Sequence, residues 1–566
     1  MSVSRDTSVS ESAPNVPSVQ NFLRRNYHVS VALGDFVYID GGEVQQLPAV
    51  NGDPTGKLLN VTLAIDMRNS WTNSTVTFNS IRKNGAPSLN AGVIWPSTDN
   101  QTFFAFGGEL SYWNLAAEVP DVSCWQFTAD GNGGGSWAIF KPVDQSIFYD
   151  LTRPGFASGA TVDNTGFILG GRASYRSSPQ FREDVPIPGI VSFNISSTLW
   201  QNDTLPRNIE DMNAPQGMLT SADSFGTDGL LIQAGLTSDA YNPPPFNNIT
   251  IYDPSEKTWH SQTATGEVPS GRSTACTVGV KGDNGTYEIF LYGGQNIIGL
   301  NGNISLTQYR ENIALDEIYV LSLPAFAWFK ADYPAQHPRI GQTCHLVGKR
   351  QMLSIGGRDP TDVYNDTTSA DPFLQGLGIF DLTNMQWSDG YNADAEPYET
   401  PAVVKAWYAA NGRSTRTWDS PATQRLFLQE TSSTGERGAS PSPPEKSDSS
   451  STGAIIGGVV GGIAALCLLI GLVWWLRQRR KASNDIGKDP TSEHEENQHS
   501  ELSAREKPHE LQDDYRPYEM DGTHSATEMA GAYSAVELYG GSPCVEMSTQ
   551  SQIVPRQQTI RATEIR

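Results

Sequence analysis

The chain has little cysteine, little basic charge and little histidine ahead of its one long apolar run, and each shortage excludes a class of function. Five cysteines in 566 residues are too few for a small disulfide scaffold, so stability has to come from a large apolar core. Lysine and arginine total 39 against 62 aspartates and glutamates, a formal charge of −23. Phosphate backbones are held by clustered cations that release counterions, so a nucleic-acid partner is excluded. The one tight basic group, Arg477-Gln478-Arg479-Arg480-Lys481, has another use described below. Before residue 453 the histidines are His28, His260, His337 and His345, scattered over separate segments without the paired spacing of a transition-metal site. No Gly-x-Ser-x-Gly elbow occurs, and the glycine run from Gly131 to Gly135 has no following Lys-Ser/Thr, so it reads as a hairpin tip rather than a phosphate loop. No catalytic set, metal or cofactor is expected.

What the chain does have is glycine, proline and aromatics in quantity, with 53 Gly, 35 Pro, 13 Trp, 20 Tyr and 21 Phe. Such a composition suits many short strands and turns, and an all-β fold. A repeat is visible. Short apolar strands end at a glycine pair at Gly41-Gly42, Gly107-Gly108, Gly170-Gly171, Gly293-Gly294 and Gly356-Gly357, with Ala234-Gly235 in the fourth repeat, at intervals of 66, 63, 64, 59 and 63 residues. A tryptophan follows each, namely Trp71, Trp137, Trp200, Trp259, Trp328 and Trp387, at 29, 29, 29, 24, 34 and 30 residues from the second glycine. Glycine at a strand end permits positive φ, and tryptophan can fill the wedge between splayed sheets. A first strand precedes each glycine strand, most clearly near His28, Cys276 and Cys344.

Hydrophobic strand, glycine pair and downstream tryptophan together resemble the Kelch repeat, whose family fold is a β-propeller with one four-stranded blade per repeat. The resemblance covers about two thirds of the chain and implies a six-bladed propeller over residues 24–390, with those glycines and tryptophans as blade-structural residues. The segments NFLRRNYHVSVALGDFVYIDGG, IYVLSLPAFAW and GQTCHLVGKRQMLSIGG resemble fungal membrane-anchored Kelch-repeat proteins of the cell surface. That likeness implies a propeller, a stalk, one membrane helix and a polar tail, and says little about the ligand. Galactose oxidase shares the propeller and adds a copper site, but four scattered histidines offer poor material for it. A cytosolic Kelch scaffold is the third reading, and it lacks a visible coiled coil or BTB-like domain.

Outside the repeats, residues 453–476 run without a charge, long enough to cross a hydrocarbon core of about 30 Å as a helix. Trp474 and Trp475 stand at its end and the basic group follows at once, which by the positive-inside rule puts the tail in the cytoplasm. Nine Asn-x-Ser/Thr sequons, at Asn60, Asn73, Asn100, Asn194, Asn202, Asn248, Asn284, Asn303 and Asn365, all precede that run, as expected of an N-terminal part outside the cell. The first twenty residues carry no apolar h-region, so a signal peptide is expected upstream of the given start.

The expected organisation is a disordered 1–23, the propeller, a closing segment 391–428, a Ser/Pro-rich stalk 429–452, the membrane helix, and a disordered cytoplasmic tail 477–566. The expected location is the plasma membrane or another membrane of the secretory pathway. Cys276 and Cys344 occupy comparable places in the first strands of consecutive repeats, which admits either a disulfide or two small core residues. Expected partners are a cell-wall glycan or surface protein and the membrane, with self-association through the glycine face Gly457, Gly458, Gly461 and Gly462.

Overall fold

Each repeat contributes four antiparallel strands in the order of the chain, and six such sheets form an all-β propeller; in the fifth, Thr265–Gly266 adds a short parallel strand beside Ala327–Lys330. The computed structural model describes residues 16–47, 56–112, 118–206, 218–235, 245–295, 315–335, 337–359, 369–413 and 417–428. The chain divides into two units, Met1–Arg437 and Gly438–Arg566, and every described residue belongs to the first. The stalk, the apolar run with its glycine face, the tail, Asn303 and Asn365 lie outside the described residues. Among the described residues no helix is long and apolar enough to cross a membrane.

Blade 1 is Val29–Leu33, Phe36–Asp40, Val61–Asp66 and Phe78–Arg82, and blade 2 is Asn90–Pro96, Thr102–Glu109, Cys124–Ala129 and Gly135–Phe140. Blade 3 is Ser158–Val162, Thr165–Leu169, Ile190–Asn194 and Leu199–Asp203, and blade 4 is Leu219–Ala222, Leu230–Ala234, Asn248–Asp253 and Thr258–Thr263. Blade 5 is Cys276–Lys281, Tyr287–Tyr292, Ile318–Leu323 and Ala327–Lys330, and blade 6 is Thr343–Val347, Gln351–Ile355, Leu377–Asp381 and Gln386–Ser388. Second strands such as Phe36–Asp40 and Tyr287–Tyr292 are buried at every position, because both faces of a blade pack on neighbouring blades. Their continuous apolar character follows from that.

The glycine pairs lie where the second strand turns outward. At Gly41 φ is +63° and an added Cβ would come within 2.2 Å of the Leu89 carbonyl oxygen, so a side chain there would need both a strained backbone and a displaced neighbour. In blade 4, Ala234 stays in the strand and Gly235 takes the positive φ, at +74°.

The tryptophans do not all hold one position. Trp137, Trp200 and Trp328 are buried in fourth strands, opposite Phe127, Phe193 and Leu321. Trp259 and Trp387 occupy the same register, opposite Tyr252 and Phe380, but are half-buried. Trp71 is a correction: it leaves the blade, pairs with Tyr391 in a two-residue ladder, and lies tilted against that ring at 5.7 Å. Phe78 stands in its register opposite Ile65, because the connection between the third and fourth strands of blade 1 is longer than in the other blades.

Ring closure comes from the N-terminal segment. Residues 16–23, expected without structure, run into a strand, Phe22–Asn26, that pairs with Glu43–Gln46 and bridges to blade 6. The Gly357 amide donates to the Arg25 carbonyl at 2.6 Å and the Asp371 amide to Leu23 at 2.8 Å. The segment 391–428 joins blade 6 to blade 1 at its start, where Tyr391 pairs with Trp71, and its helices, Ala402–Asn411 and Pro421–Leu428, strap the hairpin end of blades 5 and 4. Tyr408 is hydrogen-bonded to Ser322 and accepts from the Ala325 amide, while Phe427 packs on Phe225 and Phe326. Buried Glu288 holds the strap through Tyr398 and Thr400.

Candidate functional site

First strands begin, and second strands end, at the same end of the ring. At the start of these inner strands a residue adopts positive φ in blade after blade: Tyr27, Phe156, Thr274 and Gly341 two residues before the strand, and Ala91 as the second residue of its strand. Their backbones form a belt round the channel mouth, with Ala91 donating to Tyr27 at 2.7 Å, Phe156 to Ala91 at 2.9 Å, and Gly341 to Thr274 and Tyr27 to Gly341 at 3.4 Å each. The last of these bonds crosses the seam between blades 6 and 1. An aromatic residue at positive φ is uncommon and costs of order 1 kcal/mol or more, so Tyr27 and Phe156 are strained positions of the kind that clusters at functional sites.

Around the mouth, aromatic rings and guanidinium groups interleave. Tyr27 lies 5.6 Å from Phe156 and 5.7 Å from Tyr112. Arg172 stacks over Phe156 at 4.4 Å, Arg176 over Tyr112 at 4.1 Å and over Tyr175 at 5.0 Å, and Arg358 stands 6.0 Å from Tyr27. Tyr175 is 49% exposed. Arg172 and Arg358 each follow a glycine pair directly, as do Glu43 and Glu109. Glu109 accepts from the Tyr112 hydroxyl, Ser174 and Arg172, and burial beside this carboxylate pushes the Tyr112 hydroxyl up from its usual pKa. Neighbouring blades thus lock one another's loops at the mouth.

A second layer, not seen in the sequence, lies under those loops. Arg153, Arg272 and Arg339 precede the first strands of blades 3, 5 and 6 by four or five residues and are almost completely buried. Arg153 donates to the Ser177 carbonyl, Arg272 to Gly293, and Arg339 to Gly356 and Asp371. Each guanidinium satisfies carbonyls of the outgoing loop that the strand ladder leaves free.

Below the mouth is a channel cavity of about 190 Å³, lined by residues of all six first strands or their approaches, among them Ser30, Gly159, Leu219, Thr277 and Gln342. Two of the scattered histidines meet here. His28 is bonded to Thr343 at 2.9 Å and His345 to Ser30 at 2.7 Å, with Ser30 and Thr343 joined between them. Burial, with Arg25 close by, keeps His28 well below the ordinary imidazole pKa, and burial lowers His345 to about 4. Both are neutral at pH 7. His260 and His337 stay apart from this pair, on the fourth strand of blade 4 and the approach to blade 6. Among the described residues no three His, Cys, Asp or Glu side chains gather as a metal set.

Cys276 and Cys344 form a disulfide on the channel wall, with Cα atoms 5.6 Å apart, joining the first strands of blades 5 and 6. Cys124 is a buried free thiol whose pKa burial pushes up. Of the described sequons, Asn60, Asn100, Asn202, Asn248 and Asn284 are exposed, whereas Asn73 and Asn194 are half-buried.

No protein-family model matches the chain. Among characterised proteins it is similar to a Kelch repeat-containing protein of Arthroderma benhamiae, 24% identical over 492 residues, which covers 74% of this chain and 70% of that protein. Among solved structures it is similar to that of YjhT, at 10% identity and a TM-score of 0.43, over 66% of this chain and 99% of the other.

Proposed function

We propose that this chain is a non-catalytic recognition protein of a cell surface, in which the channel mouth seats a glycan of the cell wall and residues 453–476 anchor the propeller outside the cell. The observation that carries this reading is the mouth itself. Strained aromatic rings, stacked guanidinium groups and an exposed tyrosine surround one opening, and loops of separate blades lock them in place. Pockets of this kind, apolar faces with a few fixed polar groups on a rigid scaffold, are the usual seats of ligands. Aromatic faces suit the C–H surface of a sugar ring, and the guanidinium edges suit its hydroxyl groups. The Kelch-repeat relative supports the propeller as a binding domain, and the sequons and basic flank support its placement outside the membrane. The tail then serves signalling or scaffolding, and self-association through the glycine face of the membrane helix gathers several propellers.

The placement is tested by treating the protein, expressed from its full-length natural transcript in a eukaryotic secretory cell, with an endoglycosidase. A clear gain in gel mobility is expected, and an unchanged band would contradict the placement. Asn194→Gln is expected to alter glycosylation least. The Asn194 amide already accepts from Ser197 at 2.8 Å and donates to Thr165 at 3.2 Å, so a glycan there would have to undo a turn.

A further inference from the structure

The glycine pairs of blades 1 and 2 are each followed by a glutamate, Glu43 and Glu109, and both are buried, at 2% and 0% exposure. A buried carboxylate that stays ionised needs a cation, a metal or several hydrogen-bond donors beside it. Glu109 has one, since Arg172, which follows the glycine pair of the next blade, lies 3.4 Å away. For Glu43 the residue at that place in the next blade is Glu109 itself, so no such cation is supplied. Glu43 instead takes three neutral donors at 2.7 Å, the Asn90 Nδ2, the Ser111 hydroxyl and the Tyr112 amide, all at Oε1. Among the described residues no lysine, arginine or histidine pairs with it.

Three side-chain carbonyl oxygens nearby are buried without a donor: Asn26 Oδ1, Gln45 Oε1 and Asn90 Oδ1. Their residues are 6%, 1% and 0% exposed. The topology brings them together. Asn26 is the cross-strand partner of Glu43, Gln45 lies two residues beyond Glu43 on the same face of the strand, and the Asn90 amide already touches the carboxylate. Arg24, opposite Gln45, directs its guanidinium to Ser369 at 2.9 and 2.7 Å.

We propose that Glu43, Asn26, Gln45 and Asn90 form a binding site for a hard cation, calcium. All four offer oxygen, and one carboxylate with three carbonyls is a donor set that calcium accepts. Magnesium, which demands near-ideal octahedral geometry at shorter distances, suits four oxygens fixed by separate strands less well. The ion supplies the charge that Arg172 supplies to Glu109, and it joins the entry strand and the loops of blades 1 and 2 beside the mouth. The site does not depend on what the mouth binds.

The test uses the full chain in detergent, stripped with a chelator and titrated with calcium alone. Elemental analysis is expected to find one calcium per chain, with a rise in melting temperature of about 2 to 4 °C. Glu43→Gln is expected to abolish both. Asn90→Asp, which adds a carboxylate, is expected to lower the melting temperature in chelator and to make calcium restore it. If E43Q fails to fold, Gln45→Leu serves instead, with calcium affinity expected to fall about tenfold. A wild-type chain that retains no calcium and shows no shift would overturn the site and leave these oxygens to water. So would a shift equally large in wild type and in whichever variant is used.

Discussion

Arg339→Met is expected to destabilise the propeller by about 3 to 5 kcal/mol, the usual cost of leaving one member of a buried ion pair without its partner. Arg339 donates to Asp371 at 2.7 and 3.3 Å, caps the Gly356 carbonyl, and stacks 4.5 Å from Phe373. With the guanidinium gone, Asp371 remains at 8% exposure, keeping only its bond from the Phe373 amide. The Asp371 amide also donates to the Leu23 carbonyl of the entry strand, so the loss reaches the seam between blades 6 and 1. Chemical denaturation of R339M beside wild type measures the effect. Adding Asp371→Asn should recover about 1 kcal/mol or more, because the stranded charge is then removed. Equal stability of R339M and wild type would remove the buried arginines from any account of how the loops are held.

The second large effect is acid lability at the same seam. His28 and His345 have folded pKa values below the ordinary 6.5, that of His345 at about 4, so between those pH values the unfolded chain binds protons that the folded chain does not. Stability is therefore full above pH 6.5 and falls as the pH drops towards 4. At about 1.4 kcal/mol per pH unit for each group, His345 alone contributes up to about 3 kcal/mol to that fall. Protonation would also set two imidazolium groups near each other and beside Arg25, across the hydroxyl chain that links the first and last blades. Melting curves from pH 7.5 to 4 should show the decline, and His28→Gln with His345→Gln should flatten it. An equally steep decline in the double variant would place the acid-sensitive groups elsewhere.

Much of this architecture is legible in the chain. The glycine pairs mark the end of each second strand, and five of the six tryptophans mark the register of the fourth strands. Trp71 misleads because spacing counts residues without showing which of them lie in a longer hairpin. Arg153, Arg272 and Arg339 are harder to find, since an arginine four or five residues before the first strand is missing from blades 2 and 4, whereas the glycine recurs in all six repeats. The meeting of His28 with His345 is not legible at all. These residues are separated by almost the whole propeller, and only closure of the ring brings them together. The mouth was half visible, because Glu43, Glu109, Arg172 and Arg358 all follow glycine pairs directly. The stacking of Arg176 on Tyr112 depends instead on loop geometry that no periodicity encodes.

The central claim, that the channel mouth is the recognition surface, is tested most directly by binding the full chain to a panel of immobilised cell-wall polysaccharides. Wild type is compared with Arg176→Ala and with Phe156→Gly, which relieves the positive φ while removing the ring. Binding of wild type to at least one polysaccharide is expected, with loss of tenfold or more in both variants and no loss of stability in F156G. Binding that both variants retain in full would contradict the claim, as would a wild-type chain that binds none of the panel.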